Sequence, residues 1–88
     1  MIESQSMKKQ FKKVVYVVLS NREDGTTIFL TPRRATGSMY VYRAITSPDF
    51  ADARIFATKS AAKNSANRFF TLEGDEFEVR EVTVTLEF

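Results

Sequence analysis

The sequence predicts an α+β domain: a small, mainly antiparallel sheet of three to four strands with one helix packed on one face, in the order β-β-β-α-β. Three observations predict it. β-branched and aromatic residues crowd four segments, at 12–20, 26–31, 39–46 and 77–88. An Asp24-Gly25 pair stands between the first two, and a stretch at 59–70, between the third and fourth, repeats its apolar residues at helical spacing.

The chain has 88 residues, enough for one hydrophobic core and too few for two. Residues 1–10 are polar and aperiodic and read as a loose N-terminal tail; 11–88 read as the single domain. Composition is that of a globular protein, 43% apolar and 27% charged, and eight Phe with three Tyr point to a Phe-rich core.

Each element has a local reason. Residues 12–20 (KKVVYVVLS) are apolar on both parities, as a central strand buried on two faces requires. Asp24-Gly25 then predicts a hairpin, because Gly supplies the positive φ of the turn, and Thr26–Thr31 is the returning strand, ended by Pro32, which cannot donate to a ladder. Arg33 to Ser38 reads as a basic loop. Met39–Thr46 is the third strand, with Met39, Val41 and Ile45 on one face, interrupted by Arg43, and Tyr40 and Tyr42 on the other. Residues 47–52 form a turn or a helical half-turn, and Ala53–Ala57 is a short extended lead-in to the helix.

That helix spans Lys59 to Phe70, with Thr58 or Ser60 as N-cap. Ala62, Ala66, Phe69 and Phe70 fall on its buried face, and Ser60, Lys63, Asn64 and Asn67 opposite. Ser and Asn are mediocre helix formers, so the helix depends on docking. In the last strand the apolar parity changes from odd (Phe77, Val79) to even (Val82, Val84, Leu86, Phe88), which predicts a β-bulge near Arg80-Glu81.

Composition excludes several kinds of chemistry. The chain has no His and no Cys, so metal centres and catalysts built on those side chains, and disulfide frameworks, are out. Gly25, Gly37 and Gly74 stand apart and make no phosphate-binding loop. Glu73, Asp75, Glu76 and Glu78 are close in sequence but lack a nucleophile or companion ligands, and a turn beside an exposed strand explains them. Turn and capping roles likewise explain Asp49 and Asp52. Arg33-Arg34-Ala35-Thr36 has basophilic-kinase spacing, at a length chance accounts for. The expectation is a non-enzymatic protein with no cofactor and no metal. No apolar run reaches the ~20 residues of a membrane span and the N-terminus lacks an apolar signal core, so a cytoplasmic protein with no membrane partner is expected.

Charge is segregated along the chain. Residues 1–72 carry twelve Lys/Arg against five Asp/Glu, a net of +7, and residues 73–88 one Arg against six acids, a net of −5. Two readings stay open: cross-strand pairing, or two patches of opposite sign. Arg33, Arg34, Tyr40, Tyr42 and Arg43 combine Arg with Tyr, the composition of protein-interface anchors, and form the candidate partner-binding set. The same residues with Lys8, Lys9, Lys12 and Lys13 also suit a single-stranded nucleic acid, cations on phosphates and rings on bases. Edge strands of a small sheet offer a third use, a homodimer or larger assembly.

The hairpin KKVVYVVLSNREDGTTIFL, the segment ADARIFATKSAAKNSANRF and the strand FEVREVTVTLEF resemble the small accessory proteins of bacteriophage and prophage genomes in Gram-positive hosts, over most of residues 12–87. Some proteins of that kind inhibit host defence nucleases, including anti-CRISPR proteins that bind Cas effectors. The resemblance implies a binding protein that blocks or modulates a host protein in the host cytoplasm, and assigns no individual residue. Inhibitors that mimic DNA need a strongly acidic surface, which here would require residues 73–88 to gather on one face.

Overall fold

The computed structural model of the chain describes residues 10–34 and 42–87. They form β1 (Gln10–Asn21), β2 (Thr27–Arg34), β3 (Tyr42–Ser47), a 3-10 turn at Phe50–Asp52, α1 (Lys59–Arg68), the two-residue β4 (Phe69–Phe70) and β5 (Glu78–Glu87). The fold is α+β, with a mixed five-stranded sheet in the order β4-β3-β2-β1-β5 rather than three to four antiparallel strands. The added strand is β4: Phe69 and Phe70 leave the helix and pair in parallel with Tyr42 and Arg43. Extended backbone at Phe69 (φ −108°, ψ 144°) ends α1 two residues before the expected Phe70. The open edge of β3 supplies the hydrogen bonds that another half-turn of helix would have made.

The β1–β2 hairpin follows from its turn residues. Gly25 has φ +89°, its N–H donates to the Arg22 carbonyl at 3.0 Å, and the Asp24 carboxylate accepts from Thr26 N–H at 2.8 Å. Antiparallel pairs run from Asn21–Thr27 to Leu19–Phe29. Pro32 does not end β2. Between the Leu30–Thr46 and Arg34–Ala44 pairs, Thr31, Pro32 and Arg33 face Ile45 alone, so the proline sits in a bulge where the ladder asks no N–H of it. The Thr31 hydroxyl bridges this gap by donating to the Ile45 carbonyl at 2.7 Å and accepting from Arg33 N–H at 3.3 Å.

α1 packs on β1 and β5. Thr58 caps it, its Oγ1 accepting from Ala61 N–H at 3.2 Å. On this helix face Val18, Leu30, Phe56 and Ala62 form a core, closed by Tyr16, Ala44, Ala66, Phe69, Phe77 and Val79. Ala62 is fully buried, and its lack of a side chain beyond Cβ lets the helix axis approach the sheet. Phe70, expected in the core, is exposed, because the alternation of β4 turns it away from Phe69. The far face has a second core of Val17, Leu19 and Ala53 with Phe29 and Val82, and Phe50 of the 3-10 turn meets Phe29 edge to face at 5.5 Å.

Residues 53–56 join the two faces. Ala53 belongs to the far core and Phe56 to the helix-side core. Between them Arg54 N–H donates to the Leu30 carbonyl of β2 (2.8 Å), while Phe56 exchanges both backbone bonds with Tyr16 of β1 (2.8 and 2.9 Å). The expected extended lead-in is therefore a wedge that enters the sheet where β1 and β2 splay, and it carries the chain from one face to the other. Arg54 lies over the Phe56 ring at 4.7 Å.

β5 pairs with β1 in unbroken register from Leu19–Glu78 to Gln10–Glu87, so the bulge expected at Arg80-Glu81 is absent. The change of apolar parity serves two cores instead: Phe77 and Val79 pack under α1, and Val82 packs in the far core.

Candidate interaction surface

The predicted set does not converge. Arg33 is exposed in the β2 bulge, not in a loop. Arg34 is the last residue of β2, in register with Ala44; its side chain lies outside the described part, as does all of Tyr40. Tyr42 is half-buried on the helix face, its ring tilted on Phe69 at 5.5 Å. Arg43 is exposed and, one residue on in β3, belongs to the far face with Ile45. Tyr42 and Arg43 therefore address opposite sides of the sheet, a consequence of strand alternation that counting neighbours in sequence does not respect. Lys8 and Lys9 lie outside the described residues, and Lys12 and Lys13 are exposed on opposite faces of β1.

The structure places a different group on one face. On the far face Ile45, Phe50 and Ile55 are 39%, 38% and 49% exposed. Arg33 and Arg43 flank Ile45, and a shallow depression of about 480 Å³ opens between Arg33, Ile45 and Asp52. Beside it Asp49 Oδ1 accepts from Ala51 N–H at 2.9 Å to cap the 3-10 turn, and at its wall Asp52 Oδ2 accepts from the Ser47 hydroxyl at 2.7 Å, so turn and capping roles account for both aspartates. Sequence reading missed Phe50 and Ile55 because each lies in an irregular segment, where no periodicity tells which side a residue faces. The one available signal was Ile55-Phe56, two large apolar neighbours in an extended stretch that must point to opposite sides.

Two acids of the acidic segment, Asp75 and Glu78, serve structure. Arg22 donates to Asp75 through Nε and a terminal nitrogen, both at 3.0 Å, and the Thr71 hydroxyl donates to Asp75 Oδ2 at 2.7 Å while accepting from Asp75 N–H at 2.9 Å. The fork clamps the crossing loop 71–77 onto the hairpin end of β1. Glu78 accepts from Asn21 Nδ2 at 2.9 Å and pairs with Arg80 at 3.3 Å. Of these contacts Arg22–Asp75 is the ion pair that joins the basic part of the chain to the acidic part, and it links the hairpin turn to a loop rather than strand to strand. The acids of the segment also do not share a face: Glu78 stands opposite Leu19 and Glu81 opposite Tyr16, on different sides of the sheet. Among the described residues no group of three carboxylates is placed to hold a metal ion, and no helix is long and apolar enough to cross a membrane.

The Arg22 hydrogen bond, then that of Thr71, hold the Asp75 carboxyl below its ordinary value, and the backbone N–H of Thr26 does the same for Asp24. A depressed folded value means stability that is present above the unfolded value near pH 3.9 and is lost as pH falls through the folded one. Thermal unfolding between pH 7 and pH 3 should show the wild type losing more stability on acidification than Asp75→Asn; equal losses would show that the clamp does not couple to folding.

What the fold defines is a small α+β protein with one helix on one face of a mixed sheet and a partly apolar, arginine-flanked far face. No protein-family model, curated protein or solved structure matches the chain.

Proposed function

We propose that the chain is a non-enzymatic binding protein that docks a protein partner on the far face of its sheet, Ile45, Phe50 and Ile55 forming the apolar centre and Arg33 and Arg43 the rim. The observation that carries this is the exposure of those three side chains together on the face α1 leaves uncovered. Interfaces pair such a centre with an arginine-rich rim, and a cationic rim selects an acidic partner surface. The resemblance to phage accessory proteins makes a host protein the expected target class. DNA mimicry receives no support from the divided acidic segment. Shallow relief and side chains already committed to capping favour surface recognition over catalysis.

The test is affinity capture from host lysate, with hydrogen exchange on the purified complex, using the wild type and Ile45→Asp/Ile55→Asp. Both substituted residues are exposed, so the variant should keep its fold and lose capture at least tenfold, with wild-type protection confined to β3 and residues 50–55. Capture that survives the double substitution would overturn the assignment. A labelled oligonucleotide shifted at low salt and released as salt rises, with Arg33 and Arg43 required, would replace the protein partner by a nucleic acid.

A further inference from the structure

We propose that two copies of this chain pair antiparallel through β5, about a two-fold axis at Thr83, to make one continuous sheet. β5 is one of the two outermost strands, with β1 as its one neighbour in the sheet. The phase of the ladder shows which of its backbone groups face outward. Tyr16 spends both N–H and C=O on Phe56, on the side away from β5, so the Tyr16–Glu81 pair is not hydrogen-bonded. Alternation then turns the N–H and C=O of Val79, Glu81, Thr83 and Thr85 away from β1. No backbone bond from another described residue reaches them.

An open edge ten residues long is ordinarily protected by Lys, Pro or a bulge. In β5 the register is unbroken, there is no Lys or Pro, and the charged residues Glu78, Arg80, Glu81 and Glu87 lie toward its two ends, leaving Val82-Thr-Val-Thr-Leu86 as five uncharged residues, four of them β-branched. A second open stretch of edge, β1 before Tyr16, does carry such protection. Its outward groups belong to Lys12 and Val14, and two-fold pairing there centred on residue 12 or 13 would set Lys12 or Lys13 against its own copy.

β5 is self-complementary. With Thr83 on the axis, Thr83 meets Thr83, Val82 meets Val84, Glu81 meets Thr85 and Arg80 meets Leu86 of the second copy, so no like charges stand opposite. Val82 and Val84, half-buried on the far face, would continue the apolar stripe across the axis. The two-stranded end of the sheet, β1 before Tyr16 with β5 after Glu81, gains the further strands that an isolated ribbon needs for stability. Such an interface is isologous and closed, which limits assembly to a dimer.

Thr83 is exposed, so its substitution tests the axis without touching a core. In sedimentation equilibrium of the full chain, the wild type should rise with concentration from the monomer mass of 10.1 kDa to twice that value. Thr83→Lys and Thr83→Glu should each remain monomeric with unchanged circular dichroism, since each puts like charges at the closest point of the axis. An equimolar mixture of the two should recover the dimer. A wild type monomeric at millimolar concentration, a dimer indifferent to Thr83→Lys, or a mixture that stays monomeric would each overturn the proposal.

Discussion

Phe56→Ala should destabilise the protein by about 3–5 kcal/mol, against a total of roughly 4–13 kcal/mol for a domain of this length. Phe56 is 5% exposed and packs with Val18, Leu30 and Ala62. It is also the side chain of the wedge, so its ring fills the space where β1 and β2 part beneath α1. Removing it leaves a cavity that cannot collapse easily, because the Phe56 backbone is held to Tyr16 by two hydrogen bonds. Urea denaturation gives the measurement: the midpoint should fall steeply, with the slope little changed. A loss under about 1 kcal/mol would mean that the wedge is held by its backbone alone.

Leu30→Ala should cost about 2–5 kcal/mol by the same mechanism. Leu30 is fully buried in the same core, and its carbonyl accepts from Arg54 N–H across the splay. Because Leu30 and Phe56 line one space, the double variant should lose less than the sum of the two single losses, by about 0.5–3 kcal/mol. Strict additivity in the urea series would show that the two side chains support the wedge independently.

The elements most legible in the sequence are those whose cause is local. Asp24-Gly25 specified its hairpin because a positive φ is a property of the glycine, and the start of α1 was narrowed to Thr58 or Ser60, of which Thr58 is the cap, because a capping oxygen acts three residues away. The doubly apolar run of β1 announced a strand covered on both sides, and Val17 and Val18 are both fully buried in different cores. Errors arose where a local rule had a distant alternative. Phe69 and Phe70 suited the helix by spacing, but a free β3 edge competed for their backbone. Pro32 should end a ladder, but a bulge opposite Ile45 removed the need for its N–H. The parity change in β5 called for a bulge only on the assumption of a single core. The candidate contact set divided for a related reason: Tyr42 and Arg43 are neighbours in sequence and opposed in space.

The sequence by itself determined the α+β class, the hairpin, the position of the helix and the absence of histidine and cysteine chemistry, since each follows from residue type or from spacing within one element. Only the tertiary structure decided that residues 53–56 pass between β1 and β2, that β5 serves two cores, and that Ile45, Phe50 and Ile55 share an exposed face. Those outcomes depend on which backbone groups remain unpaired once the strands are assembled and on which face the single helix covers, and both are properties of the whole sheet.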